Sequence, residues 1–230
     1  MAERPVFIPI EQAPFVRTQD VEFEWFPGFA KTQKQRSLKS LHREAITKHG
    51  LTCPLEISSK SLQPLGTALS AFYLEMKLQV PPFLACVEVV YQASKVFDDA
   101  GPFLDLLHAT PRDAKRDDRL CSSGNLRGFL WNDRLCPLEP KTAFYDWVYF
   151  RALGDNPQFQ DALTQYGFFT DIEFNPERSL NCQAHAAATF VGMRRAGLFP
   201  ERLLSFDEFV HLTAPQAPYS TNWTQGAFDL

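Results

Sequence analysis

LACVEVVYQASKVF, residues 84–97, decides how the rest of the chain is read. Its side chains are apolar almost all round, so the segment must be buried whether it forms a strand or a helix, and its length and polar residues favour a helix. On that helix Glu88, Gln92, Lys95 and Asp99 fall at i, i+4, i+7 and i+11, one narrow polar line. Taking opposite charges out of water is costly unless pairing and hydrogen bonds offset it. Two readings therefore stand: a structural pair such as Lys95 with Asp99, or a water-facing edge, on one side; the floor of a catalytic cleft on the other.

Upstream, VEFEWF (21–26) alternates as a strand with Val21, Phe23 and Trp25 on one face, broken by Pro27 and Gly28. From about Gln33 to His49 the pattern turns helical, with Leu38, Leu41, Ala45 and Ile46 as the apolar stripe and Gly50 as a left-handed stop. PLEISSKS (54–61) and YLEMKLQV (73–80) read as strands, separated by LGTALSAF (65–72) as a turn. Downstream, Thr110, Pro111 and Asp113 mark an N-cap, an N1 proline and an acidic N3 for the short helix of TPRDAKRDDR. Helices are also predicted through KTAFYDWVYFRAL, through PQFQDALTQY up to Gly167, and through CQAHAAATFVGMRRAG (182–197). Ser205 and Glu208 form a capping box, after which a loosely ordered tail is expected. The expected fold is α+β, mainly α with a small sheet. Its parts are an N-terminal extension (1–53), a core (54–198) and a C-terminal helix and tail (199–230).

Composition narrows the function classes. With 230 residues, 45% hydrophobic and 22% charged, the chain is long enough for a full core and ordinary for a globular protein. The five cysteines form no C-x-x-C pair, which fits reduced thiols in a cytoplasm, and neither a secretory signal nor a membrane span is legible. Five histidines without ligand spacing make a metal site unexpected, and no cofactor is called for. A net charge of -4 speaks against a broad phosphate-neutralising surface, so any nucleic-acid contact must be local.

Leu69-Ser70-Ala71-Phe72 followed by VEVVYQASK (87–95) resembles the NADAR family's "LSNF" and "vEhyfQAxK" at the family's spacing. TPRDAKRDDR resembles its "P..A...GR" helix, and FYDWVYFRALGDNPQFQDALTQYG its "VM..AL..KF..NP.L...L..TG". This likeness covers roughly residues 54 to 198. PGFAKTQKQRSLKSLH, LEISSKS, LGTALSAF and FNPERSLNCQAHAAA are closer to the branch paired with toxins that ADP-ribosylate guanine in DNA, which extends the likeness to nearly the whole chain. Two family features depart: Lys141 stands where the family has a tryptophan, and "P.D..WG.G" is here Pro176-Glu177-Arg178-Ser179-Leu180-Asn181. The family's Trp and Asp are therefore not carried over, whereas Glu88 and Lys95 are.

The resemblance implies a single NADAR-like domain acting as a hydrolase that removes ADP-ribose from guanine, with ADP-ribosylated DNA as substrate, ADP-ribose as product and the cognate toxin as a further partner. A base inside a duplex is out of reach, so a single-stranded or flipped guanine is expected. Glu88 would act as general acid or stabilise an oxocarbenium-like centre, and Lys95 would form an imine with the opened sugar. Lys60 is a second lysine candidate, or an exposed strand lysine. Ser70, Phe72 and Gln92 are implied substrate contacts. Arg112, Lys115, Arg116 and Arg119 offer a diphosphate clamp, yet Asp113, Asp117 and Asp118 interleave with them as on an ordinary solvated helix. Arg178 and Asn181, before the Ala-rich helix, are alternatives near its N-terminus. Lys34 and Arg36 either meet DNA phosphates or solvate the first helical turn. Trp131, Trp147, Phe168 and Phe169 either stack on a base or fill the core. Two other functions stay open: an N-glycosidase acting on a small ADP-ribose-like or riboflavin-precursor metabolite, and a non-catalytic binder of ADP-ribose or toxin.

Overall fold

The computed structural model describes residues 1–79, 82–177, 179, 181–198 and 204–215. Strands β1 (Ala2–Pro9) and β2 (Val16–Phe23) pair antiparallel along their whole length. The alternation at 21–26 marks only the end of β2; Val21 and Phe23 are buried as it predicts. β1 is hidden in the sequence by Pro5 and Pro9, which read against a strand. They are tolerated because β1 meets its second neighbour at only one register pair, Phe7 with Phe169. Helix α1 (Lys31–His49) lays Leu38, Leu41 and Ala45 on this sheet and stops at Gly50, whose φ of 65° is left-handed.

The chain then runs through β3 (Pro54–Glu56), the short α2 (Pro64–Ala68) and the hairpin β4 (Glu75–Gln79) and β5 (Pro82–Cys86). The strand expected at 54–61 is cut after Glu56 and turns, Ser61 N–H bonding to the Ser58 carbonyl.

The long helix expected over 84–97 is not formed. Its centre is α3 (Val87–Ala93), while its ends belong to β5 and to β6 (Lys95–Phe97). Both flanks find strand partners, β5 with β4 and β6 with the strand Leu126–Trp131, so strand pairing overrides the apolar run. Lys95 and Asp99 therefore leave the helix on which the polar line was drawn.

Beyond a 3₁₀ turn (Leu104–His108) lie α4 (Pro111–Lys115) and α5 (Arg119–Ser122). The Thr110 hydroxyl accepts the Asp113 N–H as the motif predicts. β7 (Leu126–Trp131) and β8 (Arg134–Cys136) form a hairpin whose two turn residues, Asn132 and Asp133, both have positive φ. The centre is α6 (Ala143–Gly154) against the Ala-rich α8 (Gln183–Arg195), with α7 (Pro157–Leu163) and β9 (Phe168–Thr170) between them in sequence. Small residues let α8 approach closely: a methyl on Gly192 would overlap the carbonyl oxygens of Ile10 and Phe15. Helix α9 (Phe206–Thr213) starts with the predicted capping box intact. The loosely ordered tail expected after it, from residue 216 on, falls outside the described residues.

The fold is thus α+β, with the β structure of the described residues in three small sheets ordered β2-β1-β9-β3, β4-β5 and β6-β7-β8. The first sheet lies between α1 and α8, and residues 1–53 share it with β3 and β9. No helix among the described residues is long and apolar enough to cross a membrane.

Candidate functional site

The N-terminus of α3 is fixed on the Leu69–Phe72 turn by its backbone. Glu88 N–H donates to the Ala71 carbonyl (2.9 Å) and Val87 N–H to that of Leu74 (3.0 Å). Tyr149, from the buried α6, holds the same turn by its hydroxyl on the Leu69 carbonyl (2.7 Å). From α8, Gln183 accepts the Ala71 N–H (2.8 Å) and donates to Asp171 (2.9 Å) in the loop after β9. These bonds tie the turn, α3, α6, α8 and the loop after β9 together beside one cavity of about 750 Å³.

Glu88 lies on its wall, 5% exposed. One carboxylate oxygen accepts from the Gln92 amide (2.9 Å) and faces the Lys115 ammonium at 3.7 Å. Lys95 enters from β6, its amine 4.9 Å over the Tyr91 ring. Burial pushes the Lys95 pKa down against the pull of Glu88, and the Lys115 charge adds to the lowering. The Tyr91 hydroxyl accepts from Asn181 (2.6 Å), and burial raises its pKa to about 12. Burial likewise holds Tyr145 well above its ordinary value, so both phenols face the cavity as neutral groups. Asp171 is raised too, by burial first, although two loop N–H groups and Gln183 donate to it.

Of the residues singled out from sequence, Glu88, Lys95, Ser70, Phe72, Gln92 and Asn181 line this cavity together. Lys60 does not; its amine bonds the Ser59 hydroxyl (2.7 Å) and pairs with Glu173 (3.3 Å) at the rim. Arg112 and Arg116 point to solvent outside the lining, and Arg119 is held by Asp105 and Asp117 over the Phe103 ring. The cation of that helix that reaches the cavity is Lys115, over Phe72. Arg178 lies outside the described residues. Lys34 rests on Trp25 (4.7 Å) near Glu173, and Arg36 rests on Phe26 (4.1 Å). Asp99 is in the turn after β6 and away from the cavity. Trp147, 2% exposed and bonded to the Leu204 carbonyl, is core, as are Phe168 and Phe169; Trp131 packs edge-on against Trp147.

Sequence reasoning missed Tyr145, Asp171, Glu173 and Gln183, all on the lining. The readable signal was a strand and acidic turn at 168–173, masked because β9 is only three residues long. Among the described residues no group of His, Cys, Asp or Glu side chains is arranged to hold a metal ion.

No curated protein matches this sequence. A family model described as the DarT1-associated NADAR antitoxin matches residues 2–222, which takes in every element that builds the cavity. The chain belongs to the DarT1-associated NADAR antitoxin family.

Proposed function

We propose that the protein hydrolyses the N-glycosidic bond between ADP-ribose and guanine in DNA, reversing the modification made by a DarT-type toxin. The observation that carries this reading is a buried carboxylate, Glu88, and a desolvated lysine, Lys95, on one cavity of nucleotide size. Burial favours the neutral amine, the form with a lone pair to share. That lone pair forms a bond to the anomeric carbon as the carbon–guanine bond breaks. Glu88 accepts the proton the amine loses and passes it to the departing guanine nitrogen. The glycosylamine opens to an imine, and water addition releases ADP-ribose and restores the amine. Lys115 stays with Glu88 as its counter-ion, and Phe72 and Tyr91 offer apolar faces to the sugar or base.

Incubation with ADP-ribosylated single-stranded DNA should release free ADP-ribose; folded protein that releases none overturns the proposal. Borohydride should trap a protein–sugar adduct that is lost in Lys95→Ala and kept in Lys60→Ala. The reverse pattern would move the nucleophile to Lys60. A small-metabolite substrate is best tested by supplying it directly. Removing residues 1–53 would strip β9 of its β1 neighbour and disturb the loop carrying Asp171, whatever the substrate.

A further inference from the structure

Glu173 carries a contact pattern that the proposed chemistry leaves unused. Its two carboxylate oxygens face two different lysines: one lies 3.8 Å from Lys34 and the other 3.3 Å from Lys60. The lysines come from α1 and from the turn after β3, so tertiary packing alone brings them together. Each is held from behind. Lys34 lies on the Trp25 ring at 4.7 Å. Lys60 is bonded by the Ser59 hydroxyl, and its carbonyl accepts from Gln35 of α1 at 3.3 Å. The lysine side chains are 19% and 24% exposed, while the carboxylate between them is 40% exposed. The cations are thus the fixed part and the anion is the outer, replaceable part. Glu173 also lines the cavity of Glu88 and Lys95, beside Ser58 and Ser59.

We infer that Lys34 and Lys60 form a phosphate-oxygen site at the rim of the cavity, and that Glu173 occupies it until a substrate phosphate displaces it. Two ammonium groups straddling two oxygens of one anion suit the non-bridging oxygens of a phosphate as well as a carboxylate. Partly exposed pairs of this kind are weak enough to exchange. The inference rests on the proposed reading for its ligand, a phosphate of the substrate. Both the diphosphate of ADP-ribose and the phosphodiester of the DNA strand supply that chemistry.

Binding to the full chain separates the two sources without requiring turnover. ADP-ribose is titrated by calorimetry, and an unmodified single-stranded oligonucleotide by fluorescence anisotropy. The proteins are wild type, Glu173→Gln, the double variant Lys34→Gln/Lys60→Gln, and the triple variant. Glutamine keeps most of each stem, and circular dichroism confirms the fold. Glu173→Gln should tighten one ligand about three- to tenfold, the release of a weak exposed pair. That gain should vanish when the triple variant is compared with the double. A conditional gain for ADP-ribose places the diphosphate at the rim; one for the oligonucleotide places the strand there and flattens its salt dependence in the double variant. No gain for either ligand, or an equal gain without the lysines, overturns the site. A conditional gain in a protein that releases no ADP-ribose from modified DNA would keep the site and overturn the proposed activity instead.

Discussion

Two buried carboxylates, Glu88 and Glu56, sit in the same half of the chain at similar exposure, 5% and 2%, and are surrounded in opposite ways. Glu88 has an ammonium beside it, an amide donor and an open cavity in front. Glu56 has neutral donors and lies off the lining of that cavity: the Ser58 hydroxyl (2.6 Å), the Thr170 hydroxyl (2.6 Å) and the Ile172 N–H (2.9 Å). The Thr170 hydroxyl also meets His42 Nε2 at 2.8 Å, so a polar chain runs from α1 through β9 to β3. Burial, with Asp171 nearby, pushes the Glu56 pKa up, and burial lowers that of His42 to about 4. Both directions favour the uncharged forms; the Thr170 hydroxyl donates to Glu56 and accepts from Nε2–H of a neutral His42. The contrast teaches that burial of an acid does not mark chemistry; the charge of its partners and its access to a cavity do.

Glu88→Gln tests that contrast most sharply. It should cut ADP-ribose release by about 10²- to 10⁴-fold, the usual worth of a positioned acid–base group, with little change in the unfolding midpoint. A stability loss with activity retained would make Glu88 the structural acid of the two. The converse substitution, Glu56→Ala, leaves three buried donors unanswered and should cost about 3 kcal/mol in urea unfolding. The residual folded protein should keep its turnover.

A subtler difference lies in pH. A carboxyl raised on folding stabilises fully below its ordinary value of about 4.5 and loses that contribution as pH rises through the folded value. His42, lowered on folding, has the opposite sign between about 4 and 6.5, where its contribution grows with pH. The stability of wild type relative to Glu56→Gln should therefore fall as pH rises from about 4.5 upward, read from urea midpoints across the series. A flat difference would mean that Glu56 is ionised throughout. Smallest of all, Lys115→Ala removes an exposed cation that depresses the Lys95 pKa. The rising limb of the pH–rate profile should move to higher pH, with a rate loss of only a few-fold near its plateau. An unmoved limb would detach Lys95 from the rate.

What could be read in the sequence follows from how local each feature is. Helix α1 with its Gly50 stop, the Thr110 cap, the Ser205 capping box and the buried α6 and α8 depend on residues within a few positions of one another. The spacing from Ser70 to Lys95 likewise marked most of one cavity wall. Residues 84–97 look like one helix in the sequence because an apolar run has the same appearance in a buried helix and in strand, helix and strand placed end to end. Lys95 and Glu88 still share the cavity, although a bend of the chain brings them there and a helix face does not.

By itself, then, the sequence determined the α+β class, the main helices and their ends, the family likeness and the pairing of Glu88 with Lys95 in one motif. Tertiary structure decided which cation joins Glu88, why Lys60 stands at the rim with Lys34, and that Glu56 and Asp171 lie close together. The physical reason is range: caps and periodicity are set by neighbours along the chain, whereas β3 with β9, or α1 with the turn after β3, meet only when distant segments pack and exclude water.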